Sequence, residues 1–209
     1  MIPRRIVFIG ASSVFGRGDP EGGGFAGRFR KWFESQNNMN TVFNLGISGD
    51  TTYRILERLE QESKIRYPNL IIIQTGLNDT MRTGSEKNPI SSSLEQFKTN
   101  VKRIIEKSCE IADVIMLSVC PIDERETAPI KGKNIFYLMG DIKIYTDATR
   151  QVCEEKNTPY LNIFDDWIKT DFSKYLYADG LHYNAEGHKE IFKRLKDFII
   201  RLYPDGPDI

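Results

Sequence analysis

Only two histidines occur in the 209 residues, so few candidates exist for a catalytic base. His182 stands three positions after a carboxylate in Ala178-Asp179-Gly180-Leu181-His182. His188 falls in the first turns of a C-terminal helix and is expected to be structural. A base with a neighbouring acid calls for a nucleophile, and Gly10-Ala11-Ser12-Ser13 offers a serine hydroxyl directly after the first apolar run. Two further segments offer donors. Asn44-Leu45-Gly46-Ile47-Ser48-Gly49-Asp50-Thr51 contains Gly49, whose backbone can approach a ligand closely. Thr75-Gly76-Leu77-Asn78-Asp79 contains the side-chain amide of Asn78. Acyl transfer from an ester uses such a set: a hydroxyl, a base for its proton, a carboxylate to orient the base, and donors for the tetrahedral oxyanion.

These segments do chemistry together only if the fold gathers them, and the apolar pattern says how it would. Strand-length apolar runs recur at residues 4–9, 41–45, 70–75, 114–119 and 160–163, several of them continuous, as strands covered on both faces are. Between them lie stripes at helical spacing: Phe25, Phe29, Trp32 and Phe33; then Ile55, Leu56 and Leu59; then Leu94, Phe97, Val101, Ile104 and Ile105. A helix over 142–153 precedes the fifth strand, and Ile191, Leu195, Phe198, Ile199 and Leu202 stripe the last. Strict alternation predicts an α/β fold, a three-layer α/β/α sandwich around a central five-stranded parallel sheet in flavodoxin-like order. In such sheets ligands bind beyond the carboxyl ends of the strands, where the candidate segments fall. The longest irregular stretches, 16–24, 81–89 and 121–133, would join them there. Segments around Arg82, 122–133 and Phe136–Tyr137 are expected to line the substrate pocket.

Composition narrows the classes. Apolar residues make up 40% and charged residues 28%, those of an ordinary globular chain, and the length fits one domain over 1–209. Lys plus Arg and Asp plus Glu number 29 each, so no net positive field supports nucleic-acid binding. No apolar run reaches the roughly 18 residues of a membrane span, so stable membrane insertion is not expected, and a cytoplasmic location is. Cys109, Cys120 and Cys153 match no zinc or redox spacing and read as reduced, mostly buried thiols. No metal site and no cofactor is expected.

The order Gly10-x-Ser12, Gly49, Gly76-x-Asn78-Asp79 and Asp179-Gly-x-His182 resembles the SGNH hydrolase superfamily, the GDSL-type esterases and lipases, over nearly the whole chain. The resemblance implies that Ser12 attacks the acyl carbon, that His182 is base and then acid, and that Asp179 orients it. It also implies an oxyanion hole made by the Ser12 N–H, the Gly49 N–H and the Asn78 side chain. The substrate would be a small-molecule ester. The family's first block usually reads Gly-Asp-Ser, and here Ala11 replaces the aspartate, which is not the triad acid. No lid helix is evident. Other readings stay open: Ser12, Asn78-Asp79 and Asp179-Gly180 are also turn or cap signals, and Asp165 and Asp166 rival Asp179 as orienting acid. A non-catalytic protein binding a carbohydrate or acyl ligand would share the scaffold, as would a nucleotide- or flavin-binding domain. Gly10 to Gly16 superficially resembles a phosphate loop but lacks its lysine.

Overall fold

The continuous apolar run after Arg4 becomes β1 (Arg5–Gly10), a strand whose alternate side chains leave to opposite faces and are all buried from Ile6 onward. A computed structural model describes residues 4–204 and sets β1 between β2 (Thr41–Gly46) and β3 (Leu70–Gln74); β5 (Asp113–Leu117) and the short β7 (Tyr160–Leu161) extend the sheet. The order is β2-β1-β3-β5-β7 and every pairing is parallel, which is the flavodoxin-like arrangement expected. The fourth and fifth strands end two residues earlier than their apolar runs, because the chain turns off the sheet there into the loops above it.

Ile6 and Phe8 face α2 (Gly24–Gln36) and α8 (Ala185–Leu202), meeting Phe25, Phe29 and Phe33 from one and Ile191, Leu195 and Ile199 from the other. Val7 and Ile9 face α3 (Thr52–Lys64), α4 (Leu94–Cys109) and α6 (Met139–Glu155), through Ile55, Leu59, Phe97, Val101, Ile104 and Val152. Each face is a separate core, and the sheet divides them.

The structure adds pieces the pattern did not foretell. A one-turn helix α1 (Ser12–Phe15) follows β1. Residues read as irregular form a two-stranded antiparallel ladder of β4 (Arg82–Thr83) and β6 (Ile135–Phe136), with α5 (Glu124–Thr127) and α7 (Phe164–Trp167) as further single turns. A third cluster, Val119, Ile122, Tyr137, Ile142 and Phe164, packs this lobe onto the carboxyl edge of the sheet. Cys120 and Cys153 are buried free thiols and Cys109 is an exposed one. Among the described residues no helix is long and apolar enough to cross a membrane.

Candidate active site

Gly10 is where β1 gives way to the nucleophile segment. A Cβ there would come within 2.3 Å of the Gln74 carbonyl oxygen on the neighbouring strand, so only glycine lets β1 and β3 stay paired up to the turn. Ala11 is the non-helical residue before α1 and supplies no side-chain cap, and Ser12 is the first helical residue. The Ser12 hydroxyl lies 3.0 Å from Nε2 of His182, and Nδ1 of His182 lies 2.7 Å from Oδ2 of Asp179. Asp179 is an acceptor only, so Nδ1 carries the proton and Nε2 is left to accept from the serine.

The loop bearing the acid and base is held by its own backbone. Asp179 Oδ1 accepts the N–H groups of Leu181 at 3.0 Å and His182 at 2.9 Å. The Tyr177 N–H donates to the His182 carbonyl, the Asp123 N–H donates to that of Gly180, and Asn184 caps α8 directly after the loop. Burial works to raise the pKa of Asp179. The hydrogen bonds from the His182 ring and the two N–H groups outweigh it, holding the carboxyl well below the usual carboxylate range.

Of the two donor segments, the one with Gly49 lines the cleft beside Ser12, and the one with Asn78 joins it through Asp50 and Tyr137. Gly49 has φ +87°, a backbone shape that side-chain-bearing residues rarely adopt, and a Cβ there would touch nothing. Strain rather than space therefore selects glycine. Its N–H donates to no acceptor among the described residues. Asn78 is oriented from both ends: Nδ2 donates to the Asp50 carbonyl at 2.9 Å, and Oδ1 accepts from the Tyr137 hydroxyl at 3.1 Å. An amide nitrogen has two protons, so one remains for a ligand. Burial pushes the Tyr137 phenol up to about 12, which keeps it a donor.

Three residues brace this edge in ways the sequence did not show. Arg58 on α3 donates to the Asp50 carboxylate at 2.7 Å and to the carbonyls of Leu45 at 2.8 Å and Gly10 at 3.2 Å, tying together the ends of β1 and β2. Asp79 is fully buried and accepts from Thr52 N, Thr52 Oγ1 and Ser92 Oγ, which fixes the segment after β3 to the starts of α3 and α4. Burial raises the pKa of its carboxyl against those bonds. Tyr137 was expected only to line the pocket, and it also aims Asn78. Such contacts join residues far apart in the chain, so no local spacing signals them.

The remaining candidates lie elsewhere. His188 is fully buried: it accepts the Phe25 N–H at Nδ1, donates from Nε2 to the Arg17 carbonyl, and is pulled down in pKa by burial. Asp165 pairs with Arg150 and Asp166 with Arg194, which removes both as partners of His182. Arg82 does not line the cleft, because its guanidinium is committed to Asp141 on α6 at 2.8 Å and 3.0 Å. Among the described residues no group of His, Cys, Asp and Glu is assembled to hold a metal.

A cleft of about 380 Å³ opens over the triad, walled by Ser12, Ser48, Gly49 and His182 on the sheet side and by Ile130, Ile135 and Tyr137 from the lobe. A larger groove of about 830 Å³ runs between α3 and α4, past Tyr53, Glu57, Gln96 and Lys107, and contains none of these groups. Chemistry therefore points to the smaller cavity.

Comparison with known proteins agrees with this architecture. The chain is 28% identical over 169 residues to the GDSL esterase/lipase CPRD49 of Arabidopsis thaliana, covering 73% of this chain and 65% of that one. Against the GDSL esterase/lipase WDL1 of Oryza sativa it covers 63%, so it spans a little under two thirds of these plant relatives. It is 23% identical to an acetylxylan esterase of Geobacillus stearothermophilus, covering 88% of each chain. It is 26% identical to the platelet-activating factor acetylhydrolase IB subunit alpha2 of Rattus norvegicus, covering 87% of this chain and 73% of that one. A lipase/acylhydrolase structure from Enterococcus faecalis superposes with a TM-score of 0.75 over 95% of this chain and 96% of that one at 23% identity, which speaks to the fold. The GDSL-like Lipase/Acylhydrolase profile matches residues 8–190, most of the chain, and the protein belongs to that family.

Proposed function

We propose that this protein hydrolyses carboxylic esters through an acyl-enzyme formed on Ser12. The observation that carries the reading is the unbroken hydrogen-bond chain from Asp179 through His182 to the Ser12 hydroxyl, at 2.7 Å and 3.0 Å. Ser12 Oγ attacks the ester carbonyl carbon as its proton passes to Nε2 of His182. The resulting imidazolium is stabilised by Asp179, whose low pKa keeps it charged. The oxyanion is met by the Ser12 N–H, the Gly49 N–H and the remaining proton of the Asn78 amide. His182 then gives its proton to the departing alcohol. A water, deprotonated by the same nitrogen, attacks the acyl-serine, and its proton returns to Ser12 as the acid leaves.

Short acyl groups are the favoured substrates. The cleft is small, and relatives that share its family are named an acetylxylan esterase and an acetylhydrolase. The direct experiment is intact-protein mass after a fluorophosphonate, beside 4-nitrophenyl acetate and butyrate turnover. We expect one adduct, lost in Ser12→Ala, together with a fall in kcat on the order of 10⁴-fold or more. Absence of both adduct and turnover would overturn the reading and favour a ligand-binding role on this scaffold, a role to which Ala11, with no carboxylate beside the nucleophile, lends some weight.

A further inference from the structure

The sheet-side floor of the cleft performs the reaction just proposed, whereas its rim carries charge that the reaction does not use. Arg17 and Lys133 both line the cleft: Arg17 comes from the connection between α1 and α2, and Lys133 from the turn before β6. Both side chains are exposed, and neither makes an ion pair or a side-chain hydrogen bond among the described residues. Lys31, Arg54, Lys87 and Lys131 are likewise exposed and without an ion pair among the described residues, so what sets Arg17 and Lys133 apart is that they line the cleft. The one carboxylate lining the cleft, Asp179, is engaged by His182 and two N–H groups. Glu126 approaches Gly180 through its Cβ and does not line the cleft.

The backbones that carry the two cations are fixed although the side chains are free. The Arg17 N–H donates to the Ser12 carbonyl at 3.0 Å, and its own carbonyl accepts from the buried His188 at 2.9 Å. The Lys133 N–H donates to the Ile130 carbonyl at 2.9 Å, closing the turn that leads into β6. In a chain with no net charge, the cleft thus holds two cations without counter-ions, and low-dielectric walls focus such a field on whatever enters. Ile130, Ile135, Leu181 and Tyr137 line the same cleft, so the complementary molecule is apolar in its body and negative at one end.

We propose that Arg17 and Lys133 form a subsite for an anionic group, a carboxylate or a phosphate, carried by the ester substrate. The inference rests on the esterase reading and deepens it. It is tested by kcat/KM for matched esters. On the acyl side, 4-nitrophenyl hemiglutarate is compared with 4-nitrophenyl butyrate. On the alcohol side, 3-acetoxybenzoate and 3-acetoxyphenyl phosphate are each compared with phenyl acetate. The native protein should prefer at least one anionic ester by roughly tenfold, the scale of a hydrogen bond to a charged group. The preference should shrink as ionic strength rises. It should approach parity in the double variant Arg17→Gln, Lys133→Gln, with each single variant in between. The carboxylate and phosphate arms tell which anion is taken. Equal kcat/KM for charged and neutral esters in the native protein, or a preference the double variant retains, would overturn the subsite while leaving the esterase reading intact. No turnover of any ester, with no fluorophosphonate adduct, would overturn both.

Discussion

The Asp179 carboxylate accepts three hydrogen bonds, from the His182 ring and from the N–H groups of Leu181 and His182, and so its proton affinity in the folded chain lies below the ordinary 3.8. The sign of the linkage follows: a depressed carboxyl contributes stability that is complete above its unfolded value and is lost as pH falls toward the folded one. Thermal midpoints of the native protein should therefore drop more steeply between about pH 5 and pH 3 than those of Asp179→Asn, in which the titrating group is gone. The same variant should lose turnover on the order of 10⁴-fold at neutral pH, because an amide no longer enforces the Nδ1–H tautomer. Equal slopes in the two melting series would deny Asp179 its charged role. The grouping of Ser12, His182 and Asp179 was legible in the sequence because histidine is scarce here and because Asp179 stands three positions before His182. His188, expected to be structural, is held by two backbone groups, whereas Asp165 and Asp166 were separable from Asp179 only by their partners, both arginines.

At the scale of elements, α3 does two jobs. Its apolar face packs on the sheet through Ile55 and Leu59, and its polar side sends Arg58 to the ends of β1 and β2 and to Asp50. The Asp50 carbonyl in turn holds Asn78, and Gly49 is the residue before it, so Arg58 positions the donors without touching substrate. Arg58→Gln should lower kcat by about tenfold with KM little changed. It should also cost about 2–4 kcal/mol of stability in urea melts, since it strands the buried Asp50 carboxylate. Arg58→Lys should not restore kcat, because one ammonium cannot replace a guanidinium that reaches a carboxylate and two carbonyls at once. A rise in KM with unchanged kcat would assign Arg58 to binding instead. The apolar stripe of α3 was readable from spacing, but the reach of Arg58 was not: an arginine on the polar side of a helix looks the same whether it meets water or a strand end. The β4–β6 ladder was hidden for another reason. Two-residue strands carry too little alternation to stand out from irregular chain.

For the whole molecule, the strict succession of strand and helix foretold a parallel sheet covered on both faces, because each parallel pair demands a crossover and crossovers keep one hand. The flavodoxin-like order was a choice among those that satisfy this, and it is the one observed. The two cores that result meet only through the sheet. Phe8 lies at the centre of one of them, edge-on to Phe25 and Phe29 and fully buried. Phe8→Ala should cost about 3–5 kcal/mol in urea denaturation, and loss of turnover should coincide with loss of helix signal in one transition. Two separated transitions would show that the faces unfold independently. The cleft divides differently from the cores. Its reactive floor comes from loops at the sheet edge, and its opposite wall comes from residues 130–137, a stretch anchored by the ladder to β4, whose Arg82 grips Asp141. Inherited change in that wall can accordingly exchange one clientele for another while the floor is passed on intact, provided Tyr137, whose hydroxyl holds Asn78, is kept.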